Sequence, residues 1–574
     1  MISSMLKSTL LKSGAAAAAL LLAGGIAQAD VNVTLTASPA AAALPDGQSV
    51  PMWGLLCGTV SNGTFTYSAG ADTNNGAALP CTTMNGLAQT GSWQPPLITV
   101  PQGSALNITL IDNLSFANAN TVPTSLVIVG QLGGGLGNDR QTMPSPVHAP
   151  QGTTWPGTLG GTDTNAGDAV FTPPAQLDRV RSMASEVNVS DTGGKVLTWS
   201  SLRPGTYLIE SGTEPSIQGP MGLYGVLVVT ETGANTAYGT TFDASVPLLL
   251  SEIDPAQNRE VAQVVQNAGF SDQTVWSGRP GGCGDVAQPA TAHTCYPPAV
   301  NYTPMYYLVN GLAFDRTNAA ASTLAVPAAG TQTRVLLRLV NAGLHMHVPS
   351  VVGAQMTLLA EDGNKLPGNA RVQNEVFLAA GKTYDVTIQP AQSTTPGTYA
   401  AATYAVFDRA LGLSTSNQRD GGMQAYLQVA GGALPAAGTT LNAANKSYNC
   451  IAGSTLAISD PTQGLLAGAV GANGVTLGPT LTGDVSATTL TMNSDGTFTY
   501  VPTPGPTCGG SFSYLVNGSL ARTATITRAR WAPPRSAKSN KQRGRPAPQC
   551  AAPWWRWSRC CADCPRTCRS SRRW

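Results

Sequence analysis

Pro204-Gly205-Thr206-Tyr207, followed after a short loop by Gly222-Leu223-Tyr224-Gly225-Val226-Leu227-Val228-Val229, has a counterpart in the second half of the chain. There Pro396-Gly397-Thr398-Tyr399 leads to Gly421-Gly422-Met423-Gln424-Ala425-Tyr426-Leu427-Gln428-Val429. Pro-Gly opens a turn, Thr-Tyr starts an inner strand, and a Gly-led run of β-forming residues closes the unit. The same ending written twice reads as an internal duplication of one β-sandwich.

The surrounding sequence agrees with that reading. Between Asp30 and Gly432 short β-type runs are punctuated by Gly, Pro and Asn, among them Val31 to Leu35, Ser125 to Val129, Val246 to Leu250 and Thr333 to Val340. Apolar and polar residues alternate in Leu106-Asn107-Ile108-Thr109-Leu110-Ile111-Asp112 and in Tyr384-Asp385-Val386-Thr387-Ile388. This is the pattern of strands half buried against a second sheet. Asn258 to Ala268 is the segment with helical periodicity. The expected class is all-β. A body of this length exceeds one sandwich core, so two sandwich domains are expected over 30–232 and 241–430. A Gly- and Ala-rich linker, 431–446, then leads to a smaller sandwich over 447–527. In that last unit Asn493-Ser494-Asp495-Gly496 forms a tight turn, and Phe498, Tyr500, Phe512 and Tyr514 supply the core aromatics.

The ends of the chain speak to compartment. Lys7 and Lys12 precede an apolar run, Ala15 to Ile26, which closes on Ala27-Gln28-Ala29. This is the form of a secretory signal peptide over 1–29, and the run is too short to span a bilayer. An extracytoplasmic location (secreted, cell surface or periplasm) follows, and no transmembrane segment is expected in the mature chain. Six cysteines precede residue 529 and form three sequence-local pairs, Cys57 with Cys81, Cys283 with Cys295 and Cys450 with Cys508. In an oxidising compartment these suggest disulfides, although spacing alone does not fix connectivity.

The formal net charge of +2 conceals an asymmetry. Residues 528–574 hold 13 Lys or Arg against the single acid Asp563, whereas Asp30 to Thr527 holds 17 basic and 29 acidic residues. An acidic body argues against nucleic acid as a partner, because phosphate binding needs a basic footprint. The tail carries five Cys, has no periodicity, and reads as a disordered basic segment of the composition that a reading-frame change in a GC-rich gene produces, the alternative being a basic tail that binds nucleic acid or membrane.

Several separated motifs, in order, resemble those of the multicopper oxidases, whose domains are cupredoxin Greek-key sandwiches. They are Trp93 to Val100, Ala105 to Leu114, Thr124 to Gly130, Pro204 to Gly225, Tyr307-Leu308-Val309-Asn310-Gly311, Arg338-Leu339-Val340-Asn341-Ala342 and Ala360-Glu361-Asp362-Gly363. The resemblance covers most of residues 90 to 430 and makes the first two domains cupredoxin-like. Asp495 to Pro502 and Phe512 to Val516 resemble bacterial Ig-like or cadherin-like repeats, which makes the last unit Ig-like.

The same resemblance locates the copper positions, and there the pattern departs. The two imidazoles of the family's T-S-x-H-W-H fall on Val127 and Val129, and its H-S-H pair falls on Glu210 and Gly212. The H-C-H of the closing domain falls on Ala402, Thr403 and Tyr404. A blue-copper centre needs two imidazoles and a thiolate, and the whole chain has four histidines, His148, His293, His345 and His347. His345 and His347, at i and i+2, would share one face if their segment is a strand and could together reach a metal. The alternative is that both are hydrogen-bonded or partly exposed imidazoles. Glu210 could bind a cation or simply be a hydrogen-bonded acid near a sheet end. No G-x-S-x-G, H-E-x-x-H or P-loop signature occurs. The expectation is a multicopper-oxidase-like protein that has lost the standard copper ligands and is structural, adhesive or binding, with cell-surface or extracellular protein partners and no cofactor. The alternative is a copper-binding oxidoreductase with an atypical or subunit-completed site.

Overall fold

The computed structural model describes residues 30–529 except 47, 62–63, 68–80, 86–92, 146–150, 153–169, 172–176, 233–234, 414–420, 437–440, 473 and 519. The expected signal peptide, His148 and the tail from residue 530 onward therefore lie outside the described residues.

The strands assemble into facing sheets. One five-stranded sheet runs in the order Lys195–Trp199, Leu106–Asp112, Val31–Ala43, Ser49–Ser61, Thr64–Tyr67; another runs Cys81–Thr83, Pro96–Pro101, Tyr224–Thr230, Gly205–Glu210, Val127–Ile128. Alternation in the sequence becomes alternation in burial: Leu106, Ile108 and Leu110 are fully enclosed while Asn107, Thr109 and Ile111 are only partly covered. Together with Leu35, Ile98, Trp199, Tyr207 and Leu227 these residues fill the space between the sheets.

The next two sheets repeat the arrangement. One is built from Tyr306–Val309, Ala244–Ile253, Val335–Asn341, Thr383–Ile388 and Met356–Glu361, with short additions at its edge. The facing sheet runs Thr323–Val326, Gln424–Val429, Ala402–Asp408, Pro349–Val351. In both pairs the last two long strands are antiparallel neighbours, Gly205–Glu210 with Tyr224–Thr230 and Ala402–Asp408 with Gln424–Val429. In both, the final strand lies parallel to an earlier one, Pro96–Pro101 or Thr323–Val326. The duplication is offset in one respect. Thr206-Tyr207 lies within its strand, but the second strand starts at Ala402, beyond Thr398-Tyr399. Tyr399 is instead buried next to a turn, and its hydroxyl donates to Asp243 Oδ2 at 2.7 Å.

A further four-stranded and a three-stranded sheet enclose Phe498, Tyr500, Phe512 and Tyr514, all with 1% or less exposure. Disulfides join Cys57 to Cys81, Cys283 to Cys295 and Cys450 to Cys508.

The helix expected at Asn258 to Ala268 occupies Pro255–Val264. Its start is set by Asp254, whose carboxylate accepts from the N–H groups of Ala256 and Gln257, and by Pro255 in the first turn. Both features favour an N-terminus. A second helix, Pro215–Met221, has Pro215 at the start and Gly222 in a left-handed conformation at the close, but its N-cap, Glu214, is itself left-handed (φ 39°) and makes no side-chain capping bond. Two prolines and a glycine in seven residues conceal it from sequence reading.

The first two sheet pairs are fused along a broad joint. Met52, Trp93, Leu208, Tyr224 and Val226 from one pack with Leu249, Ile253, Tyr306 and Leu308 from the other. Beside this apolar contact lies a buried polar network. Thr206 donates to Asp385 Oδ1 at 2.6 Å, Arg338 Nη1 donates to Thr206 Oγ1 at 2.9 Å, and the Tyr238 hydroxyl also donates to Asp385.

Candidate metal centre

The fold brings together the first two of the segments on which the copper motifs fall. Glu210 lies opposite Val127, and Ile209 opposite Ile128, in one antiparallel pairing. Ile128 points into the core with 1% exposure, whereas Val127 and Val129 are half-buried on the other side, Val129 against the apolar joint. The valines therefore line the outer face of this strand and not the interior of the sandwich. Gly212 is pressed against the same strand: a Cβ there would sit 2.7 Å from Val127 Cγ2 and 3.0 Å from Ser125 Oγ. Glu210 ends its strand half-buried between Val127 and Tyr224, with burial pushing its carboxyl pKa up.

Hydroxyls link these two segments. Thr124 Oγ1 donates to Gln218 Oε1 at 2.8 Å, and Ser211 Oγ donates to the same oxygen at 2.6 Å. Thr213 Oγ1 reaches Ser125 Oγ at 3.0 Å, Ser182 Oγ at 2.9 Å and Glu186 Oε1 at 3.3 Å. Gln218 Nε2 in turn donates to the Pro123 carbonyl at 2.8 Å. All of these groups except the Pro123 carbonyl belong to residues with 7% or less exposure, so the set works as a dry cross-link in which each buried polar side chain has a partner.

The closing-domain positions, Ala402, Thr403 and Tyr404, are half-buried and open the strand Ala402–Asp408, paired with Val429, Gln428 and Leu427. None of these side chains can act as a blue-copper ligand.

His345 and His347 part company. The segment between Val335–Asn341 and Pro349–Val351 is a bend and not the strand that the i, i+2 reading requires. Asn341 shapes it, accepting from Gly343 N at 2.8 Å and donating to the His345 carbonyl at 2.7 Å. One oxygen of Glu252 accepts from the N–H groups of both Leu344 and His345 at 2.8 Å. His345 is left exposed, with its ring edge-on to Tyr302, while His347 turns inward. The two imidazoles do not converge on one point.

His347 is instead held between two acids distant in sequence. Its Nε2 lies 2.5 Å from Glu252 Oε2 and its Nδ1 lies 3.0 Å from Asp408 Oδ2, and the three side chains are 2%, 0% and 1% exposed. Burial opposes the imidazolium, but hydrogen bonds to Asp408 and Glu252 and the charges of both outweigh it and raise the pKa to about 9. For Asp408 burial pushes the pKa up, yet the hydrogen bond from His347 and those from Val348 N and Ala410 N hold it below the usual carboxylate value. The acids sit at opposite nitrogens of the ring, so the trio is a clamp with no shared vacancy for an ion. His293 is similarly occupied, between Glu260 at 3.1 Å and the Asp285 carbonyl at 3.3 Å.

Glu361, Asp362 and Gly363 form a turn whose acids pair with Lys382. Asp362 and Gly363 both have positive φ, 50° and 69°, and Gly363 packs directly beneath the Tyr207 hydroxyl, where a side chain has no room. Among the described residues no group of three or more His, Cys, Asp or Glu is placed to hold a metal ion.

Residues 285–450 match the family model described as multicopper oxidase. No curated protein matches the chain. Among solved structures it is similar to a blue copper oxidase from Nitrosomonas europaea, at 14% identity and a TM-score of 0.39, over 70% of this chain and 86% of that one. It is similar to a copper nitrite reductase from Nitrosomonas europaea, at 16% identity and a TM-score of 0.38, over 72% and 98%. A laccase from Botrytis aclada aligns at 15% identity and a TM-score of 0.35, over 72% and 55%. The family match supports a multicopper-oxidase-type cupredoxin fold over residues 285–450, while the copper that such a fold implies does not fit the described residues.

Proposed function

We propose that this chain is a non-catalytic, exported protein in which cupredoxin-like sandwiches of the multicopper-oxidase type serve as a structural, adhesive or binding scaffold. The observation that carries this reading is the replacement of all three copper-ligand motifs by Val127 and Val129, Glu210 and Gly212, and Ala402 to Tyr404. The hydroxyl cross-link between the first two of those segments supports it, because it ties them together through side chains that bind no metal. The signal-like N-terminus and the three disulfides favour an oxidising, extracytoplasmic setting. No helix among the described residues is long and apolar enough to cross a membrane. In this reading residues 30–232 and 241–430 are the two cupredoxin-like domains, 447–527 is an Ig-like spacer, and exposed loops meet cell-surface or extracellular protein partners.

Metal analysis tests it. After exposure to copper and dialysis, the expected result is substoichiometric copper, no intense thiolate-to-copper absorption and no oxidation of phenols by dioxygen. One or more copper ions retained per chain, together with phenol oxidation, would overturn the scaffold reading in favour of a copper oxidoreductase with an unfamiliar ligand set.

A further inference from the structure

A cavity of about 250 Å³ opens beside the polar network at the joint between the first two sheet pairs. Its rim is exposed and includes Thr99 and Asn235, while Val228, Phe242 and Arg338 lie deeper, 7%, 6% and 2% exposed. Leu97 and Pro247 complete an apolar wall. The volume falls below the roughly 300–1,000 Å³ of drug-sized sites, which limits the occupant to a small molecule.

Arg338 gives the cavity its chemistry. Its Nε donates to Ser245 Oγ at 2.8 Å, and its Nη1 donates to Thr206 Oγ1 at 2.9 Å and faces Asp385 Oδ1 at 3.4 Å. No described atom accepts from Nη2. A guanidinium this deeply enclosed keeps its charge and has five N–H donors to satisfy. Nε and Nη1 fix the plane of the group from below, so the free edge is held in place before any ligand arrives. Charge-assisted hydrogen bonds from such a preorganised edge favour an anionic oxygen acceptor. The remaining lining sets an apolar wall of Leu97, Val228, Phe242 and Pro247 against polar Thr99, Thr230, Asn235 and Thr236, which suits a short body with one apolar face.

The geometry points to a binding site for a small organic carboxylate, with the carboxylate on Arg338 Nη2 and the apolar part against Val228, Phe242 and Pro247. It is independent of the copper question, since no residue of the cavity belongs to the positions on which copper ligands fall. A scaffold reading that failed on metal analysis would leave it untouched.

Benzoate is the probe, titrated into the full chain by calorimetry and by two-dimensional NMR, with benzamide as its neutral match in size and shape. The expected result is saturable 1:1 benzoate binding, with benzamide weaker by about tenfold or more. The Thr99→Phe variant fills the rim without touching the Arg338 network. It should keep the parent's circular dichroism and melting temperature and lose benzoate binding by about tenfold or more. Three results would overturn the assignment: no saturable benzoate binding, equal affinity for benzamide, or unchanged affinity in a folded Thr99→Phe protein.

Discussion

Replacing His347 by alanine is expected to destabilise the folded chain by about 3–5 kcal/mol, the usual effect of removing one member of a buried ionic group. The deletion leaves Glu252 and Asp408 in a site from which water is excluded, each with backbone N–H groups as its remaining donors: Leu344 and His345 for Glu252, Val348 and Ala410 for Asp408. His345→Ala is the internal control. That imidazole is exposed and its ring sits edge-on to Tyr302, so its loss should stay within about 0.5 kcal/mol. Urea unfolding midpoints of the two variants decide the matter. Similar small shifts would show that the clamp carries no buried charge.

The clamp also sets a pH dependence whose sign follows from the direction of its shifts. The folded imidazole keeps its proton up to about pH 9, whereas an unfolded histidine releases it near about 6.5. Between those values the native state binds more protons than the unfolded state, so stability falls as pH rises. The contribution of His347 is complete below the unfolded value and gone above the folded one. Asp408 acts at the other end: its depressed pKa contributes above the unfolded carboxylate value and is lost as pH falls through the folded one. The urea midpoint of the parent should therefore decline from about pH 6.5 to 9, and this decline should be absent in His347→Ala.

The strands of this protein are legible in its sequence because they depend on spacing alone: side chains two apart share a face, and Leu106 to Asp112 shows it residue by residue. The same rule misleads at His345 and His347. It holds only for extended chain, and Asn341 and Glu252 bend this segment through hydrogen bonds that no local pattern announces. The acids that grip His347 lie 95 and 61 residues away, and acids so distant carry no spacing signal. The absence of histidine from the positions where the resemblance puts copper ligands is visible in sequence, because Val127 and Val129 stand there. What stands in their place is not visible. Thr124, Ser125, Ser211 and Thr213 are ordinary residues for strands and loops, and their hydroxyls become a cross-link only once the sheet pairing sets Val127 against Glu210.

Asp385→Ala is expected to loosen the joint between the first two sheet pairs, at a cost of about 3–5 kcal/mol. The carboxylate is 1% exposed and accepts from Thr206 and Tyr238 while facing Arg338, itself 2% exposed. A guanidinium cannot shed its proton under these conditions. Without Asp385 its full charge remains buried, with only the hydroxyls of Ser245 and Thr206 as partners. Asp385→Asn keeps the shape and one acceptor but not the charge, and should fall between parent and alanine variant. Thr206 belongs to the first sheet pair, and Arg338 and Asp385 to the second, so the effect should appear in cooperativity as well as in midpoint. Calorimetry of the parent should show these two pairs melting together; in Asp385→Ala their melting should separate into two steps. The apolar contact of Met52, Trp93 and Tyr224 with Leu249 and Tyr306 persists in the variant, so the pairs should remain docked at low temperature. A single transition at the parental midpoint would mean that this apolar surface alone couples the two halves, with the buried ion pair adding nothing to the joint.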